Sequence, residues 1–233
     1  MAVLSMRWRP RALVIQHELT TPAGLMTAWL AEQSAQVDTL RIDEDERMVN
    51  PRDYDLIVSL GSEVAAFDES VAFVPREVML LEDAREFDVP ILGLCFGAQM
   101  LARVLGARVF RSPKAEIGWH PVRTLAPDLV SEGPWFQWHF DTFASPPGAK
   151  VIAETDVGPQ AFVAGRSLGV QFHPEVTAEI VEMWVRAGPR ELKAEDVDPK
   201  GLLAETRRRA ADARRATWRL LDHFRDQLIR RLR

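Results

Sequence analysis

Three short runs in the first half of the chain are apolar almost throughout: "RALVIQ" at Arg11–Gln16, "YDLIVSLGS" at residues 54–62 and "VPILGLC" at residues 89–95. A strand with one face in water alternates apolar with polar residues, whereas a strand covered on both faces does not. Between the runs lie segments with helical spacing. In residues 21–36, Leu25, Trp29 and Leu30 can share a face, and residues 74–88 have Val78, Leu81 and Phe87 as inward candidates. "VDTLRI", residues 37–42, alternates and predicts a further strand. After "VPILGLC", residues 97–106 predict a helix stopped by Gly106 as its C′ residue. Strand alternating with helix predicts an α/β fold, an open and mostly parallel sheet with helices on both faces.

The second half changes character. "HPVRTL", "WFQWHF", "KVIAET", "QAFVAG" and "SLGVQFH" are short and separated by Gly, Pro, Asp and Ser, which predicts hairpins or added edge strands. From Gly201 to Arg233 the chain has no further Gly or Pro and predicts one long C-terminal helix. Trp218, Leu221, Phe224, Leu228 and Leu232 recur along it at three- and four-residue spacing, a stripe that needs a partner surface. That surface is either the protein's own core or another subunit, so a homo-oligomer through this helix is one expectation. The intervening arginines read as a solvated face. The domain expected over residues 1–190 is thus followed by a helical extension over residues 191–233.

Bulk numbers narrow the class. Of the 233 residues 47% are hydrophobic and 27% charged, ordinary for a globular protein, and the net charge of −5 gives no drive toward nucleic acid or anionic membrane. No run is apolar and long enough to span a bilayer. The basic start, "MAVLSMRWRPR", is not followed by an apolar segment, so no signal peptide is expected. A single cysteine makes no internal disulfide, which points to a reducing, cytoplasmic setting. Neither a metal nor a cofactor is expected.

That cysteine, Cys95, stands in Gly93-Leu94-Cys95-Phe96-Gly97, between a predicted strand and a predicted helix. The pattern has the logic of a nucleophile elbow, with flanking glycines that permit a sharp turn and leave room for a substrate. A helix N-terminus favours a thiolate, and the Phe96 N–H would be free for a developing oxyanion. The bland alternative is a small buried hydrophobe in a tight turn. A base is available in "GVQFHPEV": His173 and Glu175 are two apart, so in an extended segment they project to one side. A glutamate there can orient the imidazole and stabilise its cation. His17, His120 and His223 read as structural or surface residues, and Trp119, Trp135 and Trp138 as core or pocket wall.

"GLCFGAQ" at residues 93–99 and "GVQFHPE" at residues 169–175, in that order, resemble the class I, triad-type glutamine amidotransferases. "EIGWHPV", "FQWHFDTFASPPGA" and the helical tail are similar to the stand-alone, GMP-synthase-like branch. The resemblance covers about residues 11–185. It implies that Cys95 attacks the side-chain amide of L-glutamine, that His173 moves the proton and that Glu175 holds His173. It implies an oxyanion hole made by Phe96 and the Gly61–Ser62 turn, a substrate contact from Gln99, and His139 and Asp141 at the amino-acid end of the pocket. Two departures stand out: Gly61 is followed by Ser62 where many members have paired glycines, and Phe140 occupies a position that is commonly glycine. No phosphate loop of the G-x-x-x-x-G-K-[ST] type and no "SGGxD" loop is present, so an ammonia-using synthetase is expected on a separate chain. A γ-glutamyl hydrolase working without a partner, and a non-catalytic regulatory member, are the alternative expectations.

Overall fold

The computed structural model describes residues 9–229. The start of the basic N-terminal stretch and Leu232 of the tail stripe lie outside the described residues.

The first half winds as β1 (Arg11–Gln16), α1 (Leu25–Glu32), β2 (Gln36–Arg41), β3 (Leu56–Ser59), α2 (Phe73–Glu86), β4 (Ile91–Leu94) and α3 (Phe96–Val104). The second half adds β5 (Val109–His120), β6 (Arg123–Thr124), β7 (Trp135–Phe143), β8 (Lys150–Thr155), β9 (Gly158–Ala164) and β10 (Ser167–Val170). It closes with α4 (Ala178–Ala187), α5 (Pro189–Ala194) and α6 (Pro199–Phe224), which runs on as a π-helical turn over Arg225–Ile229. The main sheet has the order β2-β1-β3-β4-β10-β9-β8-β6. Its first five strands are mutually parallel, and β9, β8 and β6 extend it antiparallel. β5 and β7 pair separately.

The apolar runs became central strands because both of their faces are covered. Ala12 and Val14 point into one core layer, with Met26, Trp29 and Leu30 of α1. Leu13 and Ile15 point into the other, with Leu81 of α2 and Met100 of α3. The period of two thus feeds two apolar layers, each buried Leu, Ile or Val contributing about 1.5–3 kcal/mol.

The tail stripe meets the chain's own core. Leu220, Leu221, Phe224, Leu228 and Ile229 are buried with α1 and the sheet in the first layer, and Trp218 packs at its rim. Of the two surfaces expected for the stripe, its described residues meet the protein's own core. Several α6 arginines pair with nearby carboxylates, Arg214 with Glu32 at 3.1 Å and Arg209 with Glu205 at 2.7 Å. Among the described residues no helix is long and apolar enough to cross a membrane.

Phe87, expected inward, instead lies just past α2 at 37% exposure, with the Arg52 guanidinium 3.6 Å above its ring. The helix end explains the difference: α2 stops at Glu86, so Phe87 lies past the buried stripe of Phe73, Val74, Glu77, Leu80, Leu81 and Ala84, a stripe that includes a carboxylate, Glu77.

Candidate active site

Cys95 lies between β4 and α3 with φ 51° and ψ −104°. A positive φ is uncommon outside glycine and is held there by its surroundings. The Cys95 N–H donates to Val170 O at 2.8 Å and the Gly97 N–H to Leu60 O at 3.0 Å, which ties the turn to β10 and to the end of β3. The flanking glycines have a different cause from the one expected. A Cβ on Gly93 would stand 2.4 Å from Gly97 O, and one on Gly97 would stand 2.2 Å from Ser59 O. They make room for the protein's own backbone rather than for a substrate.

His173 and Glu175 follow β10, the neighbour of β4. His173 Nδ1 lies 2.6 Å from Glu175 Oε1, and both side chains are buried. The His173 N–H donates to Phe136 O at 2.8 Å, the Leu25 N–H to Glu175 O at 2.8 Å and Thr217 Oγ1 to Pro174 O at 2.7 Å. β7, α1 and α6 thus hold three consecutive residues. Trp184 sits edge-on to the His173 ring at 4.8 Å. The second ring nitrogen, Nε2, is buried and has no hydrogen-bond partner among the described residues. Burial opposes the His173 cation, but the charges of Glu175 and Cys95 outweigh it, and the imidazole holds its proton well above the ordinary histidine range.

A Cβ on Gly61 would stand 3.1 Å from His173 Cε1 and 4.0 Å from Cys95 Cβ, so the turn after β3 closes the site's third side. Two amide N–H groups there, of Phe96 at the start of α3 and of Ser62, have no protein acceptor among the described residues. The Ser62 hydroxyl donates to Glu18 Oε1 at 2.7 Å and accepts from the Val64 N–H at 3.1 Å, so the side chain shapes the turn. The cavity over Cys95 encloses about 240 Å³ and is lined by Gly61, Ser62, Phe96, Gln99, His139 and Asp141 among others. That is slightly under the roughly 300–1,000 Å³ of sites for drug-sized ligands.

All nine residues singled out from the sequence therefore border one cavity or lie directly behind it. Gln99 is tied inward, its amide 3.2 Å from both Asp141 O and Gln171 Oε1. His139 Nδ1 donates to Asp141 O at 3.1 Å, and its Nε2 lies 3.0 Å from Glu116 Oε2. Asp141 lies 3.5 Å from Arg111, its cross-strand partner, whose guanidinium is 4.7 Å from the Phe140 ring. Of the tryptophans, Trp138 lines the cavity, while Trp135 stacks on Phe172 and Trp119 bonds Thr206.

Sequence reading missed Gln171, whose Nε2 stands 3.5 Å from Cys95 Sγ. The signal was present, since Gln171 shares the period of two with His173 and Glu175. His17, read as a structural or surface residue, is buried and lies against the Phe96 ring at 4.6 Å. Chemically, a thiol at a helix N-terminus, an imidazole fixed by a carboxylate and two free amide N–H groups can support acyl transfer through a thioester.

The sequence profile of the family "Glutamine amidotransferase class-I" matches residues 25–183. The chain is 34% identical over 145 residues to a glutamine-hydrolysing GMP synthase of Thermosipho africanus, covering 58% of this chain and 26% of that protein. It is 37% identical over 107 residues to one subunit of the glutamine-hydrolysing GMP synthase of Pyrococcus abyssi, covering 42% and 56%. It thus spans about a quarter of the first relative and about half of the second. The crystal structure of a glutamine amidotransferase from Thermotoga maritima superposes with a TM-score of 0.82 at 33% identity, covering 92% of this chain and 97% of that one. With a matching profile across two thirds of its length and a close structural counterpart, the chain belongs to the class I glutamine amidotransferase family.

Proposed function

We propose that this chain hydrolyses the side-chain amide of L-glutamine through a Cys95 thioester and supplies ammonia to a synthetase on a separate chain. The observation that carries the reading is the His173 imidazole, gripped by Glu175 at 2.6 Å through one nitrogen and lining the same cavity as a cysteine in a strained elbow.

The Cys95 thiolate adds to the amide carbon, a C–S bond forms and the carbonyl electron pair moves to oxygen. The Phe96 and Ser62 N–H groups receive that oxyanion. The His173 Nε2–H protonates the departing nitrogen, the C–N bond breaks and ammonia leaves. Water, deprotonated by His173, then attacks the γ-glutamyl thioester, the C–S bond breaks and glutamate departs with the thiolate restored. Gln99, His139 and Asp141 are assigned to the amino-acid end, and Gln171 to the flank of the sulfur. On this reading residues 1–190 form the hydrolase domain and residues 191–233 brace it from behind through Thr217. A synthetase partner is consistent with the subunit organisation of the Pyrococcus abyssi relative.

Incubation with glutamine, alone and with candidate synthetase chains, tests this by release of glutamate and ammonia, which Cys95→Ala should abolish. Undiminished release in that variant would sink the assignment. Turnover of γ-glutamyl amines far above glutamine, without a partner, would replace it with the hydrolase reading.

A further inference from the structure

Behind the site lies a buried polar chain that the reaction above does not use. His17 follows β1 and is fully buried, and it reaches two groups. Its Nδ1 is 3.0 Å from Gly61 O, and its Nε2 is 2.7 Å from Glu77 Oε2. Glu77, also fully buried on α2, accepts from Ser59 Oγ at 2.5 Å through its other oxygen. A carbonyl oxygen carries no proton, so the contact with Gly61 requires a hydrogen on Nδ1. That holds wherever the second proton of the His17–Glu77 contact resides.

Such a pair is a poor stabiliser, because desolvating two charges offsets much of their attraction, and apolar residues of similar size often serve as well. Its location supplies another reason. Gly61 and Ser62 share a trans peptide, in which C=O and N–H point opposite ways. A carbonyl drawn toward His17 turns the Ser62 N–H the other way, and that N–H has no protein acceptor among the described residues. The Gly97 N–H bond to Leu60 O fixes this turn against the start of α3, where the second free donor, Phe96 N–H, sits. The His17 ring itself meets Phe96 edge-on at 4.6 Å. One imidazole therefore contacts the Phe96 side chain and the peptide that carries the Ser62 N–H.

We infer that His17, itself oriented by Glu77, is a positioning residue that sets the oxyanion hole by holding the Gly61 carbonyl away from the cavity. The inference rests on the glutaminase reading, and it does not make His17 a catalytic residue. Without the Nδ1–H the peptide is free to rotate, its carbonyl oxygen can face the developing oxyanion, and a donor is replaced by a repulsive acceptor. Removing one oxyanion donor costs about 100- to 1,000-fold in kcat in enzymes where this has been done.

Two double variants discharge the pair equally and differ in the donor. H17N/E77Q keeps an amide N–H where Nδ1 was, and H17L/E77Q has none. Steady-state kinetics on glutamine, or on whichever γ-glutamyl compound the wild type turns over best, should show kcat down by about 100-fold or more in H17L/E77Q, with KM within about threefold. H17N/E77Q should recover most of that loss. Equal kcat in the two variants, or a change confined to KM, would overturn the inference. A second measurement needs no variant: in the ¹⁵N NMR spectrum of the wild type, His17 Nδ1 should carry a slowly exchanging proton, and an unprotonated Nδ1 would overturn the inference too. Failure of the wild type to turn over any γ-glutamyl compound would instead sink the functional reading, and the two failures are distinguishable.

Discussion

Thr217→Val examines whether α6 supports the reaction from behind. Thr217 is buried in α6, and its hydroxyl donates at 2.7 Å to the carbonyl of Pro174, the residue between His173 and Glu175. No other donor among the described residues serves that carbonyl. Valine has nearly the same shape and tolerates a helix, so little changes except the lost hydrogen bond. An unsatisfied buried acceptor costs about 1–3 kcal/mol. At roughly 2–4 °C per kcal/mol for a domain of this size, the thermal midpoint should fall by about 2–12 °C. Because His173 and Glu175 flank the loosened carbonyl, kcat for glutamate release should fall with KM nearly unchanged. Thr206→Val is the control. Thr206 lies on the same helix, bonds Leu202 O and Trp119, and does not line the cavity. It should lower the melting point without altering kcat. Scanning fluorimetry and a coupled glutamate assay read both quantities. If Thr217→Val melted within about 1 °C of wild type at unchanged kcat, the bracing role of α6 would be refuted.

Glu175→Gln keeps an oxygen near His173 Nδ1 but removes the charge that stabilises the imidazolium; kcat should fall by about 10⁴-fold by analogy with Asp→Asn in serine triads, and a fall under tenfold would count against the assignment. Gly97→Ala would place a Cβ 2.2 Å from Ser59 O, a backbone atom that cannot swing aside, so a loss of about 1–3 kcal/mol or more is expected in urea unfolding. Stability should also depend on pH in the alkaline direction. Burial opposes the cation at both His17 and His173, but their acidic neighbours outweigh it and raise both pKa values above the unfolded value of 6.5. Their contribution is therefore complete below about 6.5 and is lost as pH rises through the folded values. The melting point should decline as pH is raised above neutral, and a rise in that direction would contradict the assignment.

Legibility varied with how local the cause was. β1, β3 and β4 could be read because burial on both faces leaves an uninterrupted apolar run, and the elbow could be read because Gly93 and Gly97 border the one cysteine. β5 was not, since "VFRSPKAEIGWH" is polar, contains Pro113 and loses register with β7 between Arg111 and Glu116. α4 and α5 also went unassigned, short helices beyond the recognisable "HPE". His17 and Glu77 are 60 positions apart, and no local pattern signals a buried ion pair that forms when β1 and β3 lie side by side. Gly61 itself was legible as a strand-ending turn, but the direction of its carbonyl was not.

The pairing of β4 with β10, Leu92 opposite Leu168, also has a consequence in time. Gln171 follows Cys95 by 76 positions. At about 5–20 residues per second of synthesis, the cysteine elbow emerges roughly 4–15 s before the strand that completes it. Thr217 comes later still. A nascent chain in that interval has a thiol without its imidazole, and a sheet whose β4 edge is open. Contacts so distant in sequence form late and slowly. A chain wired in this order would complete the surroundings of Cys95 only once β10 and α6 have been made and folded.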